Sequence, residues 1–341
     1  MTPELLVRPG EGLANVRAGY SFELRDRRSW QTLVAVCGLM VALPLATGPF
    51  GIYLGCTIAC YAIAAIGLQL MVGIAGQLSL GHAAFMAIGS YGTALAQMRL
   101  GLSFLPAAAL GVLASAGGGI LMAQLIRLSG VYFKIATFGF GVIVYQLISN
   151  WSSLTGGHTG LTRIPPIGLA GLTIQSRLGL FMVIVTVLVL AYVLSLRMTQ
   201  GRAGRALLAI GENEAAAEAI GINVSGYKMS VIVFGCALGG VGGAFLPQLT
   251  GFINPDGFTW SESILLLIMI TIGGLGSLPG AVIGAAILIV VPEYLRDLAE
   301  YKMLLFGMLL VLALIFMPRG VAGLANDLRN ALRASEAGPS R

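Results

Sequence analysis

Apolar residues run through this chain in long unbroken blocks, not in the alternating patterns of a water-soluble fold. The blocks lie near 30–48, 50–75, 83–98, 104–127, 131–149, 178–196, 231–250, 261–275, 279–292 and 303–317. A helix needs about 20 apolar residues to cross about 30 Å of hydrocarbon. Each block is therefore expected as a helix within a membrane. The shorter, glycine-rich blocks are expected as broken, tilted or re-entrant elements covered by their neighbours. A β-barrel would show alternating segments of about ten residues instead. The expected fold class is all-α: a polytopic membrane helix bundle of about 8–10 transmembrane helices.

Composition sharpens this picture. Of 341 residues 57% are hydrophobic and 10% charged, against about 45–50% and about 25% in soluble domains. So few charges cannot solvate a soluble enzyme of this size. The 20 basic and 14 acidic residues leave a net charge of +6, and in a membrane chain that excess reports topology. With the N-terminus inside and ten spans threaded, fifteen Lys and Arg residues fall inside and five outside, as the positive-inside rule requires. Residues 1–29 read as an inside tail, too long and too mixed for a cleavable signal peptide. Residues 30–317 read as the transmembrane domain, with an outside loop at 150–177 and an inside loop at 197–230. Residues 318–341 read as a second inside tail. No Lys/Arg cluster interleaved with aromatics suggests nucleic acid.

Several chemistries lack their residues. A P-loop needs Gly-Lys-Ser/Thr, and none of Lys134, Lys228 and Lys302 follows a glycine. The acidic residues fall in tails, loops or at span ends, with Glu262 closest to a span interior, so no ion-coupling relay is evident. His82 and His158 both read as turn residues. Ser79 with His82 has the spacing of a nucleophile and base, but no carboxylate in the segment would orient the imidazole. No catalytic site is expected. Cys56 and Cys60 are one helical turn apart, yet no nearby His or carboxylate completes a metal site. With Cys37 and Cys236 they read as buried small hydrophobes. No metal, cofactor or disulfide is expected.

Two patterns suggest mechanics instead of chemistry. Gly235, Gly239 and Gly243 are four apart and fall near one helix face, where small residues let helices approach closely. AGQLSLGHAAF (75–85) resembles GGLGSLPGAVIG (273–284), as in transporters whose internal repeats carry broken helices. In the inside loop, GENEAAAEAIGI (211–222) is Ala- and Glu-rich between glycines and is expected as one short helix. Glu214 and Glu218 share a face of it, and Ile220 and Ile222 offer apolar anchors. A polytopic chain with neither fuel site nor ion site fits a permease moved by a separate motor docked there.

The segments GLQLMVGIAGQLSLGHAAFMAIGSYGTAL (67–95), GVYFKIATFGFGVIV (130–144), NWSSLTGGHTGL (150–161), GRALLAIGENEAAAEAIGINVSGYKMSVIVFGCALGGVGGAF (204–245) and GGLGSLPGAVIGAA (273–286) resemble the LivM-type permease subunits of bacterial branched-chain amino acid ABC importers. The resemblance covers about residues 50–320 and is specific as a set. It implies a type II-like importer half in the bacterial inner membrane, in contact with lipid. It also implies a LivH-type second permease, two cytoplasmic ABC ATPases and a periplasmic substrate-binding protein as partners. By the same resemblance Glu212, Glu214, Ala215, Glu218 and Gly221 form the ATPase-coupling segment. Ser79, Gly81 and His82, in the first glycine-rich turn, are the candidate translocation-pathway residues. The same machine carrying urea, short amides or other amino acids is the nearest alternative. An ion-coupled secondary transporter and a non-transporting scaffold are the alternatives from other classes.

Overall fold

The computed structural model describes residues 27–127, 131–169, 172–173, 176–294 and a few positions near 307 and 320. The expected span at 303–317 and both tails lie largely outside the described residues. Helix α1 (Arg27–Gln69) is one helical run broken at Gly48, whose φ of 75° is left-handed. The break separates two of the expected blocks. It coincides with Gly48 followed by Pro49, a residue without a backbone donor after one free to reverse its φ. A π-turn, Leu70–Ile74, ends α1.

There follow α2 (His82–Leu100), α3 (Phe104–Ala123) and α4 (Val131–Asn150). The loop after α4 holds the single-turn α5 (Ser152–Thr155) and three two-residue strands, β1 (Leu161–Thr162), β2 (Gly168–Leu169) and β3 (Leu172–Thr173). Its Pro165–Pro166 pair and glycines preclude a long helix there. Next come α6 (Arg177–Thr199), α7 (Gly201–Glu212), α8 (Glu214–Ala219) and α9 (Val224–Thr250). Strand β4 (Phe252–Ile253), α10 (Trp260–Gly273) and α11 (Leu278–Tyr294) complete the described chain.

Among the described residues, five helical stretches are long and apolar enough to cross a membrane: Gly48–Ile74, Phe104–Ile126, Val131–Asn150, Arg177–Thr199 and Val224–Thr250. Helices α10 and α11 are apolar but shorter. The chain is thus a polytopic helical bundle. Its centre is the pair α1 and α9, flanked by α2, α3, α6, α10 and α11, while α4 packs mainly on α2.

Glycine sets the distances between these helices. A Cβ on Gly235 would lie 2.7 Å from the Gly67 carbonyl oxygen, and one on Gly242 would lie 2.4 Å from that of Cys60, so these two face α1. A Cβ on Gly243 would lie 2.1 Å from the Met86 carbonyl oxygen, and Gly239 packs on His82 and Phe85, so these face α2. Gly240 meets Ser115 of α3. The expectation of one shared face for Gly235, Gly239 and Gly243 is corrected. Each step of four residues overshoots a 3.6-residue turn by about 40°, enough for the series to swing from one neighbour to the next.

Backbone carbonyls in these contacts are further satisfied by small hydroxyls. Ser115 Oγ donates to the Cys236 carbonyl at 2.7 Å, and Ser90 Oγ donates to that of Gly243 at 2.5 Å. Lipid offers no hydrophobic force between helices, so close packing and such bonds carry the association.

Candidate functional site

One end of the bundle is closed by loop pairing. Strand β1 pairs antiparallel with β4, Leu161 opposite Ile253. Gly160 has φ +71°, and a Cβ there would lie 2.0 Å from the Ile253 carbonyl oxygen. The 150–161 motif therefore seats the long loop directly on the α9–α10 connection. His158 lies in a 3-10 turn, Gly157–Thr159, of that loop.

The residues just before the first repeated glycine/serine segment meet the second. Gln69 Nε2 donates to the carbonyls of Gly274 at 2.9 Å and Ser277 at 3.2 Å. A Cβ on Gly73 would lie 2.5 Å from the Gly276 nitrogen. Both segments break a helix: residues 75–81 between the π-turn and α2, and residues 274–277 between α10 and α11.

The first break is re-entrant. Ala64, which accepts from His82 Nε2 at 3.2 Å, stands ten residues, about 15 Å of helix, before the π-turn ends. The extended segment must therefore climb back along α1 before α2 begins. A carbonyl only accepts, so His82 Nε2 carries the hydrogen. Two hydroxyls hold the segment in place. Leu80 N donates to Thr137 Oγ1 at 3.1 Å, and Ala83 N donates to Ser263 Oγ at 3.0 Å, which satisfies one free donor at the α2 start.

Of the three residues expected here, Ser79 and Gly81 lie in the extended segment. His82 is the first residue of α2, not a turn residue. All three are buried. Gly81 has an ordinary negative φ and is required by proximity, since a Cβ would lie 2.1 Å from the Thr137 carbonyl oxygen. Ser79 Oγ and His82 Nδ1 have no hydrogen-bond partner among the described residues. Serine and histidine are not bonded to each other, so the pair is not an activated nucleophile.

The 197–230 region differs from its expected form in two ways. Residues 201–212, within the expected inside loop, form the amphipathic helix α7. Gly204, Ala206, Leu207 and Ile210 are buried, while Arg202 and Arg205 are exposed. The single helix expected over 211–222 is also divided. Asn213 is extended, and its Oδ1 accepts from Ala216 N at 3.0 Å, capping α8. Asparagine competes with the helix for its own backbone and favours the cap.

Glu212 accordingly ends α7, while Glu214, Ala215 and Glu218 lie on α8, and Gly221 (φ 84°) turns the chain toward α9. All five are exposed. Ile220 points outward at 75% exposure. Ile222 instead packs inward, against the small cluster of Ile210, Ala217 and Val224, so it is an anchor within the chain.

The sequence reading missed three relationships. Lys228 Nζ pairs with Glu214 at 2.5 Å. Tyr61 donates its hydroxyl to Glu262 Oε2 at 3.2 Å. Tyr53, Thr57 and Tyr61 line a cavity of about 290 Å³ together with the end of α9 and residues 252–258. Of these only the polar spacing 53, 57, 61 on an apolar helix was visible in one sequence.

The described arrangement holds no group of three potential metal ligands. Its polar contacts join helix breaks and shape a cavity, which suits movement and passage of a solute. Comparison with known proteins bears on that. Residues 52–314 match the family described as branched-chain amino acid transport system / permease component. The chain is 33% identical over 315 residues to the high-affinity branched-chain amino acid transport system permease protein LivM of Escherichia coli K12, covering 85% of this chain and 74% of that one. It is 30% identical over 294 residues to the corresponding LivH protein of Salmonella typhimurium, covering 80% and 93%. A probable branched-chain amino acid transport permease LivM of Methanocaldococcus jannaschii is 24% identical, over 60% of this chain and 63% of its own length. No solved structure matches the chain.

Proposed function

Because the chain belongs to the branched-chain amino acid transport system permease-component family, we propose that it is the passive membrane subunit of an ATP-driven importer of leucine, isoleucine and valine. A LivH-type permease pairs with it in the inner membrane. Two ABC ATPases bind on the inside face and a binding protein delivers cargo on the outside. The observation that carries this reading is the family match over residues 52–314, which covers every described helix from the second half of α1 to α11.

The geometry supports the division of labour. Helices α7 and α8 lie between two spans and pack on α9, and α7 also touches the π-turn of α1. The exposed Glu212, Glu214, Ala215, Glu218 and Gly221 offer a motor its docking surface. Force applied to α8 passes through Lys228 into α9 and through α7 into the break at 70–81. Ser79, Gly81 and His82 line the pathway when that break opens. Selectivity resides largely in the binding protein, so no covalent or ion-paired intermediate is needed here.

The test is reconstitution. Vesicles holding this chain, its permease partner and the ATPases, with binding protein outside, should take up labelled leucine only with ATP inside. Uptake of urea in place of leucine would reassign the cargo. Concentration of solute by this chain alone under an ion gradient would overturn the reading.

A further inference from the structure

We propose that Tyr53, Thr57, Tyr61 and the Glu262 carboxylate form a receiving site for the ammonium group of an α-amino acid. This rests on the reading of the chain as an amino-acid importer and adds where that subunit recognises its cargo.

The hydrogen bonding of Thr57 and Tyr61 is one-sided. Thr57 Oγ1 uses its hydrogen on the Tyr53 carbonyl at 3.0 Å. Tyr61 uses its hydroxyl hydrogen on Glu262 Oε2. Each oxygen keeps lone pairs, and a carboxylate only accepts. Thr57 Oγ1 and Tyr61 Oη are thus left toward a ligand as acceptors, with the Glu262 carboxylate behind Tyr61, while the Tyr53 hydroxyl and the Asn254 amide in the same lining can also donate. An ammonium, with three donors and no acceptor, complements the acceptors beside Glu262; a ligand carboxylate is left the Tyr53 and Asn254 donors.

No Lys or Arg is among the residues lining the cavity, and the ion pair between described residues lies elsewhere, at Lys228 and Glu214. A carboxylate at the start of an apolar helix with no cationic partner among the described residues is costly unless it serves function. Leu246, Leu249, Phe252 and Phe258 also line the cavity and suit a branched aliphatic side chain. The cavity also adjoins β4 at the end closed by the β1–β4 pairing, where a delivering protein would release its load.

The experiment uses the complete reconstituted importer with Glu262→Gln, Glu262→Asp and Tyr61→Phe. Leucine imported per ATP hydrolysed should fall about tenfold or more in E262Q, the scale expected when one partner of a charge pair is lost. Hydrolysis stimulated by loaded binding protein should stay near the wild-type rate. E262D keeps the charge and should keep most of the transport. Y61F removes one acceptor of the site but leaves the charge, so its loss should fall between those of E262D and E262Q. Unchanged transport in E262Q overturns the inference. So does a loss in E262D equal to that in E262Q, because the charge would then not be what the site supplies. A wild-type complex that imports no amino acid instead defeats the functional reading, and this inference with it.

Discussion

Lys228 Nζ lies 2.5 Å from Glu214 Oε2, with the lysine side chain 4% exposed and the glutamate 54%. The pair clips the start of α8 to the first turns of α9 across the turn at 220–223. Glu218, on the same short helix, is exposed and has no partner among the described residues. The two glutamates, expected to share one face of one helix, therefore differ: Glu214 is paired with Lys228, and the Glu218 side chain is unpaired among the described residues.

Glu214→Lys would set a second cation against a buried ammonium. It should lower the stability of the purified chain by about 2 kcal/mol, a buried-pair loss reduced because the glutamate is half open. Glu218→Lys should leave the melting temperature unchanged yet weaken copurification with the ATPases. The swap E214K/K228E should recover part of the stability lost in E214K. Equal melting of the two single variants would contradict this division.

The glycine contacts give a second contrast. Gly243 has the Met86 carbonyl oxygen 2.1 Å from where a Cβ would stand, whereas Gly139 of α4 has nothing within 4 Å. Gly243→Ala should cost about 1–3 kcal/mol by overpacking. Gly139→Ala should be neutral or stabilising by up to about 1 kcal/mol, the helix preference for alanine. Thermal unfolding in one detergent checks both.

Gln69 joins the two helix breaks through its amide nitrogen, bonded to Gly274 and Ser277 carbonyls. Gln69→Leu removes this donor, although Gly274 and Ser277 keep their bonds from Ser277 N and Ala281 N, and should cost about 0.5–1.5 kcal/mol. Gln69→Glu sets a carboxylate against two carbonyl oxygens and should be worse than leucine. Better tolerance of glutamate than of leucine, read by melting and by ATP-dependent uptake, would mean that the joint does not depend on this donor.

Much of the fold was legible because membrane helices announce themselves by continuous apolar length, and Gly48–Pro49 marked a break that is present. Asn213 was legible too: a good N-cap followed by Glu214 in the first turn should have divided the 211–222 helix. Helix α7 was harder, because glycines at 201, 204 and 211 obscure an otherwise periodic apolar face. The pairs Tyr61–Glu262 and Gln69–Gly274 are separated by 201 and 205 residues. Only three-dimensional packing brings such partners together, and a single sequence carries no signal of it. The repeat at 75–85 and 273–284 showed two helix breaks but not that the residues just before the first lie against the second.

The buried state of Ser79 offers a direct view of motion. Its Oγ is unpartnered among the described residues, and Gly81 beside it is wedged against Thr137, so the segment holds a polar group that packing alone does not need. If rocking of the subunit opens this break, a thiol at position 79 becomes reachable only during the cycle. In a background with the four native cysteines replaced, Ser79→Cys should resist a water-soluble maleimide at rest. It should react in the presence of ATP and loaded binding protein. A control cysteine at Ser103, exposed in the turn between α2 and α3, should label at a rate that turnover does not change. Equal labelling of S79C with and without turnover would remove residues 79–82 from the pathway and leave the re-entrant break as a static joint.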